Sequence, residues 1–404
     1  LGKNLFGIPN SYLIRGQIYG IYDTGTDILG GDRGKQIFIN PVVSVPVTHP
    51  DFRGRINSVF EVIDLPNGFQ VKGQLAAVSD QNFLEQYFPN EWLNGLNGDA
   101  WVYVKQQNDN WAWSIQAQPN LRPWITETAL LPRADGYILG QKFFDLFTYN
   151  LQASAEYAKL RTTSQPSFAY LNTDVTDATG RFDLTQELAM PFQFGAFKIM
   201  PYVLGEMTYY TNDLTGNDSG RLYGAAGVRA SIPFSKLYPD ICSELFNLNG
   251  IYHKILFYNN YYVAGSTQPY TRYPQLDRLN DDASDQALRD IRPWQVKFNP
   301  QNGLALTNSP VFDPQLFAIR RLIDSYIDTK DDIQVLQLGV SQRWQTRRGL
   351  PGADHVVDWM TLDLRASLFP AANRDDFGKL VGILEYDWVW NIGDRTALTS
   401  SLWY

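Results

Sequence analysis

Arg181-Phe182-Asp183-Leu184-Thr185-Gln186-Glu187-Leu188-Ala189-Met190-Pro191-Phe192-Gln193-Phe194 alternates with period two over nearly its whole length. Phe182, Leu184, Leu188, Met190, Phe192 and Phe194 fall on one face of an extended chain. Arg181, Asp183, Thr185, Glu187 and Gln193 fall on the other, and only Gln186 interrupts the apolar row. Side chains alternate across a β-strand, so this is the pattern of a strand with one apolar and one charged face.

The same alternation recurs along the chain. Phe147, Tyr149, Leu151, Ala153, Ala155 and Tyr157 oppose Thr148, Asn150, Gln152, Ser154 and Glu156. Met360, Leu362, Leu364, Ala366 and Leu368 oppose Thr361, Asp363, Arg365 and Ser367. Leu380, Leu384, Tyr386, Trp388 and Trp390 oppose Lys379, Glu385 and Asp387. About fifteen strands follow, over 11–22, 53–64, 67–79, 99–107, 110–119, 125–140, 146–161, 180–194, 197–210, 221–233, 251–264, 333–347, 356–369, 379–391 and 394–404. Many exceed the globular mean of about 5–6 residues and reach the roughly 9–11 that a membrane-crossing strand needs.

Asn67-Gly68, Asn108-Asp109, Gly195-Ala196 and Ile392-Gly393-Asp394 read as tight turns. Residues 23–52, 80–98, 162–179, 211–220, 265–332 and 370–378 read as longer loops. Short turns fall on one side of the ladder and the longest loops on the other. Bacterial outer-membrane barrels have this asymmetry. The fold expected is therefore all-β: one domain over 1–404, a transmembrane antiparallel up-and-down β-barrel. The runner-up on composition is a large soluble β-protein with an aromatic core.

Composition agrees with a barrel. Phe, Tyr and Trp make 14% of the 404 residues, as aromatic girdles would require. No run of eighteen apolar residues occurs, which excludes a transmembrane helix but not a barrel. The net charge of −8 argues against a nucleic-acid partner. Cys242 is the only cysteine, so no intrachain disulfide forms.

Chemistry is sparse. His49, His253 and His355 are the only histidines, and none has a second at metal-ligand spacing. No nucleophile elbow, P-loop or dinucleotide fingerprint occurs. The expectation is no catalytic centre, no metal and no cofactor. If apolar faces meet lipid, Arg181, Asp183, Glu187, Arg221, Arg229, Arg343, Asp363, Arg365, Glu385 and Asp387 line a lumen. An Arg or Lys facing lipid at mid-depth would cost about 2–4 kcal/mol. The 265–332 stretch loses period two and gathers charge. Its Arg278, Asp281, Asp282, Arg289 and Arg292 are expected to pair with lumen charges and hold it in the barrel mouth, and 318–327 reads as a short helix. The ladder holds an odd number of strands and no signal segment precedes Leu1, so the barrel is expected to be incomplete in this chain, with terminal strands that do not close on each other.

Several segments resemble the lipopolysaccharide-assembly outer-membrane protein family (LptD, or organic solvent tolerance protein). Ser79-Asp80-Gln81-Asn82-Phe83 is similar to its Ser-Asp-x-x-aromatic segment, and Phe52-Arg53-Gly54-Arg55 to an upstream strand start. Val104 to Trp111 resembles its following hairpin, and Leu130-Leu131-Pro132-Arg133-Ala134 its proline segment. Leu276-Asp277-Arg278 is a weaker match to a surface-loop motif. The resemblance implies export of a lipopolysaccharide-type glycolipid into the outer leaflet, through a lumen and a lateral seam in the outer membrane. It implies a plug lipoprotein and periplasmic bridge proteins as partners. The alternative is a porin or specific diffusion channel. Family members often link barrel and periplasmic domain by disulfides, which Cys242 alone cannot provide.

Overall fold

The computed structural model describes residues 12–29, 45–47, 49–80, 82–93, 98–162, 176–277, 326–349, 352, 354–376, 378–393 and 395–403. The strands are β1 (Tyr12–Tyr22), β2 (Asp27–Leu29), β3 (Val45–Val47), β4 (Phe52–Leu65), β5 (Phe69–Val78), β6 (Trp101–Asn108), β7 (Trp111–Gln118), β8 (Glu127–Phe143) and β9 (Phe147–Arg161). They continue as β10 (Thr179–Ala189), β11 (Phe192–Phe194), β12 (Phe197–Tyr210), β13 (Ser219–Ser243), β14 (Leu248–Ser266), β15 (Ile333–Arg348), β16 (His355–Leu368), β17 (Val381–Asn391) and β18 (Ala397–Trp403). Among the described residues three short α-helices join them: α1 (Phe83–Tyr87), α2 (Pro89–Leu93) and α3 (Ala372–Asp375).

Sixteen strands form one antiparallel up-and-down sheet in which each pairs with its sequence neighbour. β2 and β3 make a separate two-stranded sheet within the first long loop. Among the described residues β1 pairs only with β4 and β18 only with β17, so the sheet is not closed. The expected strands all occur, with two departures. The expected 180–194 strand breaks after Ala189, because Pro191 has no N–H for the ladder; β11 resumes pairing with β12 beyond it. The 234–250 region, unassigned from sequence, extends β13 and β14 into a hairpin that outruns β12 beyond the Lys198–Ser231 pair. Residues 278–325 lie outside the described residues, and with them most of the expected 318–327 helix.

Turn chemistry sets the hairpins. Asn67 and Gly68 both have positive φ (61° and 74°) in the three-residue Pro66–Gly68 connection between the paired Leu65 and Phe69, a conformation that Asn and Gly adopt most readily. A Cβ on Gly68 would also strike the Gln107 carbonyl oxygen.

Register carries the two faces across the sheet. Ile232, Phe257, Val340, Leu364, Tyr386 and Leu402 form one cross-strand row. One residue along, Ser341, Asp363, Asp387 and Ser401 form a polar row on the opposite face. The apolar face is the open one: Phe182, Met207 and Leu222 are 50–54% exposed. Arg181, Glu206 and Arg221, on the polar face of the same strands, are 0–2% exposed. The usual order of burial is reversed.

Aromatic rings on the polar face lie on glycine floors. Tyr258 sits over its cross-strand partner Gly339, as Tyr202 does over Gly227, and on the apolar face Phe60 sits over Gly73 in the same way. A Cβ at Gly339 would lie 2.1 Å from the Tyr258 ring. Gly339→Val is expected to lower the unfolding free energy by about 1–3 kcal/mol. Gly205→Val, where nothing lies within 4 Å, serves as control and stays within about 0.5 kcal/mol. Urea unfolding of both variants in detergent measures the difference.

Candidate functional site

The two described ends of the 265–332 loop, residues 267–277 and 326–332, lie against the polar face at its long-loop end. Their anchor is Arg181 on β10, which has no exposed surface. A guanidinium removed from water needs several acceptors. Nη1 donates to Asp277 Oδ2 at 2.6 Å and to Asp328 Oδ1 at 2.5 Å, while Nη2 donates to Asp277 Oδ1 at 2.8 Å. Glu156 of β9 lies 2.8 Å from Nη2.

Asp328 joins both loop ends to the sheet. Its Oδ1 also accepts from the Tyr210 hydroxyl at 2.6 Å. Its Oδ2 accepts from the backbone N–H groups of Leu276 (2.6 Å) and Asp277 (3.0 Å). The Thr128 hydroxyl of β8 donates to the Leu276 carbonyl at 2.6 Å. Tyr273 stacks on Tyr210 with ring centroids 4.5 Å apart.

Arg221 on β13 makes a second anchor. It donates to the carbonyls of Ile327 and, at 3.2 Å, Lys330. Lys330 in turn pairs with Glu206 of β12. Asp183 accepts from Thr208 and Thr185 at 2.9 and 3.0 Å beside it. Outside the strands, Asp213 accepts from the N–H and hydroxyl of Thr215 and from Arg272 Nε, at 2.8, 2.6 and 2.9 Å. Burial raises its pKa, but these bonds outweigh that and hold it at about 2.

The other residues expected on the polar face share it but stand apart from this clamp. Glu187 and Arg229 form a bidentate pair at 2.6 and 2.8 Å. Arg365 lies 3.3 Å from Glu385, and Arg343 lies 3.9 Å from Asp358. Asp363 and Asp387 face each other across β16 and β17. Arg278, Asp281, Asp282, Arg289 and Arg292 lie outside the described residues. Glu156, Glu206, Asp328 and Lys330 escaped the sequence reading as site residues. The two glutamates do lie on polar strand faces, whereas Asp328 and Lys330 carry no periodic signal.

A second ionic corner forms beside β1. Arg53, also without exposed surface, donates to both carboxylate oxygens of Asp27 at 2.9 Å. It donates likewise to Asp80 at 3.0 and 2.9 Å, and to Asp23 at 3.3 Å. The Ser79 hydroxyl donates to Asp80 and accepts from the Gly54 N–H. Phe83, fully buried, and Tyr87 flank the guanidinium at 5.8 and 5.1 Å. The Tyr87 hydroxyl donates to Asp23 at 2.6 Å. That bond lowers the Asp23 pKa, and the carboxylate pushes Tyr87 up to about 12. Arg55 pairs with Glu91 at 2.6 Å and stacks on Phe88. Ser79, Asp80 and Phe83 thus converge on the Arg53-Gly54-Arg55 strand start. Pro132 stands apart in a β8 bulge, where a missing N–H is tolerated. Among the described residues, Asp23, Asp27 and His49 are the group whose donor atoms gather closely enough to hold a metal ion.

No protein-family model matches this chain, and no curated protein matches it.

Removing the Arg181 charge takes from Glu156, Asp277 and Asp328 the buried cation they share, leaving Arg133 3.5 Å from Glu156 and 3.7 Å from Asp277. Arg181→Met is expected to cost about 3–5 kcal/mol and to release the loop. Limited proteolysis would then cut within 267–332 faster than in the unaltered protein. Asp213 titrates lower in the folded state than its ordinary 3.8. The stability it contributes is complete above that value and is lost as pH falls through about 2. Asp213→Asn is expected to flatten this acid limb, read as the midpoint of acid unfolding.

Proposed function

We propose that this chain forms the wall of an outer-membrane β-barrel that exports a lipopolysaccharide-type glycolipid to the outer leaflet. The observation that carries the membrane reading is the reversed burial of the two faces. Each large apolar side chain left in water forgoes about 1.5–3 kcal/mol. The apolar row runs across β13 to β18 with Phe257, Leu364 and Leu402 exposed and Ile232, Val340 and Tyr386 half-buried, whereas soluble monomers rarely expose large contiguous apolar patches. Hydrocarbon on that face removes the conflict, and the charges then face a lumen.

Aromatic residues at the tight-turn border support the same reading. Phe143, Phe144 and Phe194 are exposed there. His253 stacks on Trp344 at 4.5 Å, and Trp359, Trp388 and Trp390 cluster nearby. Such belts sit at membrane–water interfaces. Backbone groups along β1 and β18 cannot face hydrocarbon unpaired, so in a bilayer these edges meet each other or further strands.

The ionic clamp favours an exporter over an open channel, because it seats a long loop on the lumen face. The convergence of Ser79, Asp80 and Phe83 on Arg53 is consistent with the family resemblance. A plug lipoprotein and periplasmic bridge proteins are the partners this reading requires. A porin is the second reading. Its support is the unclamped region, where Arg343 and Arg365 have side chains 59% and 48% exposed near Asp363 and Asp387.

Planar-bilayer recording separates the two. The exporter reading expects little steady conductance from the purified protein and a rise in Arg181→Met. A large, steady conductance in the unaltered protein would favour the porin. In cells, depletion is expected to lower surface glycolipid, measured by extraction of the outer leaflet; unchanged glycolipid would reject export.

A further inference from the structure

We propose that Asp23, Asp27 and His49 form a binding site for a divalent transition-metal ion of the Zn²⁺ type. The site lies where the β1–β4 connection returns to the sheet, and it stands independently of the transport reading.

The geometry of the imidazole carries the argument. The His49 side chain is 1% exposed. Its Nδ1 lies 3.0 Å from the Pro50 carbonyl oxygen. A carbonyl can only accept, so Nδ1 carries the hydrogen, and Nε2 is the nitrogen left to bind a metal ion through its lone pair. That buried Nε2 makes no hydrogen bond. It points at two carboxylates, 3.5 Å from Asp23 Oδ2 and 3.7 Å from Asp27 Oδ1. A lone pair facing two anions is repulsive unless a proton or a metal cation sits between them. Metal-bound histidines are typically fixed in this way, with the other nitrogen donating to a backbone carbonyl.

Distances and charge agree. Ligands about 2.0–2.1 Å from a tetrahedral Zn²⁺ lie roughly 3.3–3.4 Å from one another. All three donor atoms here lie within 4.8 Å of one another, and the two histidine distances need only a few tenths of an ångström of contraction. Arg53 contacts Asp23, Asp27 and Asp80, so three carboxylates face one guanidinium and leave a formal charge of −2 before His49 is counted. A divalent ion balances it. Arg53 Nη1 donates to both of these oxygens, Asp23 Oδ2 and Asp27 Oδ1, and the Tyr87 hydroxyl to Asp23 Oδ2, so these groups would hold the ligating carboxylates in place. One nitrogen with two oxygens selects a transition metal over Ca²⁺, which takes six to eight oxygen ligands.

A bound ion would pin the loop that bears β2 and β3 to the corner beside β1. The test uses the full chain in detergent, stripped with chelator, in a Cys242→Ser background because that thiol is exposed and would itself bind zinc. Calorimetric titration with Zn²⁺ is expected to show one saturable site and a raised unfolding temperature, with no shift from Ca²⁺. His49→Ala is expected to weaken binding about 100-fold or more, the loss of a direct ligand being at least as large as that of a supporting group. It leaves the Arg53 network in place, so the variant should still fold. His253→Ala/His355→Ala retains the site. Absence of saturable Zn²⁺ binding, or binding unchanged in His49→Ala, would overturn the proposal.

Discussion

A strand offers only two sides, and this chain assigns them opposite chemistry. One residue of slip in any pairing would move charges to the apolar face and apolar groups among the charges. Every cross-strand register therefore supports the next. The Phe257–Val340–Leu364–Tyr386–Leu402 row exists because four successive pairings hold the same phase. Turns such as Asn67-Gly68 and bulges such as that at Pro132 absorb irregularities without reversing it.

The polar face has a problem of its own. Charges that leave bulk water need partners, and the sheet alone does not supply enough. Arg181 has Glu156 on the neighbouring strand, but Asp277 and Asp328 come from a loop whose ends lie some fifty residues apart in sequence. Asp328 then spends its remaining lone pairs on Tyr210 and on the backbone of Leu276 and Asp277. The loop is seated by satisfying buried charge rather than by apolar packing. Such a device is specific in geometry, and costly if any single member is lost.

The corner at Arg53 obeys the same rule at the sheet's edge. There the partners come from three segments: the β1–β4 connection, the β5–α1 connection and α1 itself. Aromatic rings from α1 cover the guanidinium on the side the carboxylates leave open. β1, which pairs with β4 alone among the described residues, is thus backed at this corner by a compact ionic and aromatic knot.

Much of this was legible in the sequence, because period two and turn chemistry are local. The fifteen expected strand spans and their order, the placement of Arg181, Asp183, Arg221 and Asp363 on one face, and the sidedness of turns and loops all follow from neighbours within a few residues, whereas the structure has sixteen strands in the main sheet and two in a second one. The break at Pro191 and the β2–β3 ladder were less visible, since both depend on how short segments meet distant partners. Tertiary structure alone decided which charges meet. Asp328 and Lys330 sit in a stretch without periodicity, and nothing near them in sequence marks them as partners of Arg181 and Glu206. His49 reads as an isolated loop histidine until folding brings it against Asp23 and Asp27. Alternation along a strand dictates a side, but Coulombic and hydrogen-bond partners are chosen across the sheet, by residues that only the fold makes neighbours.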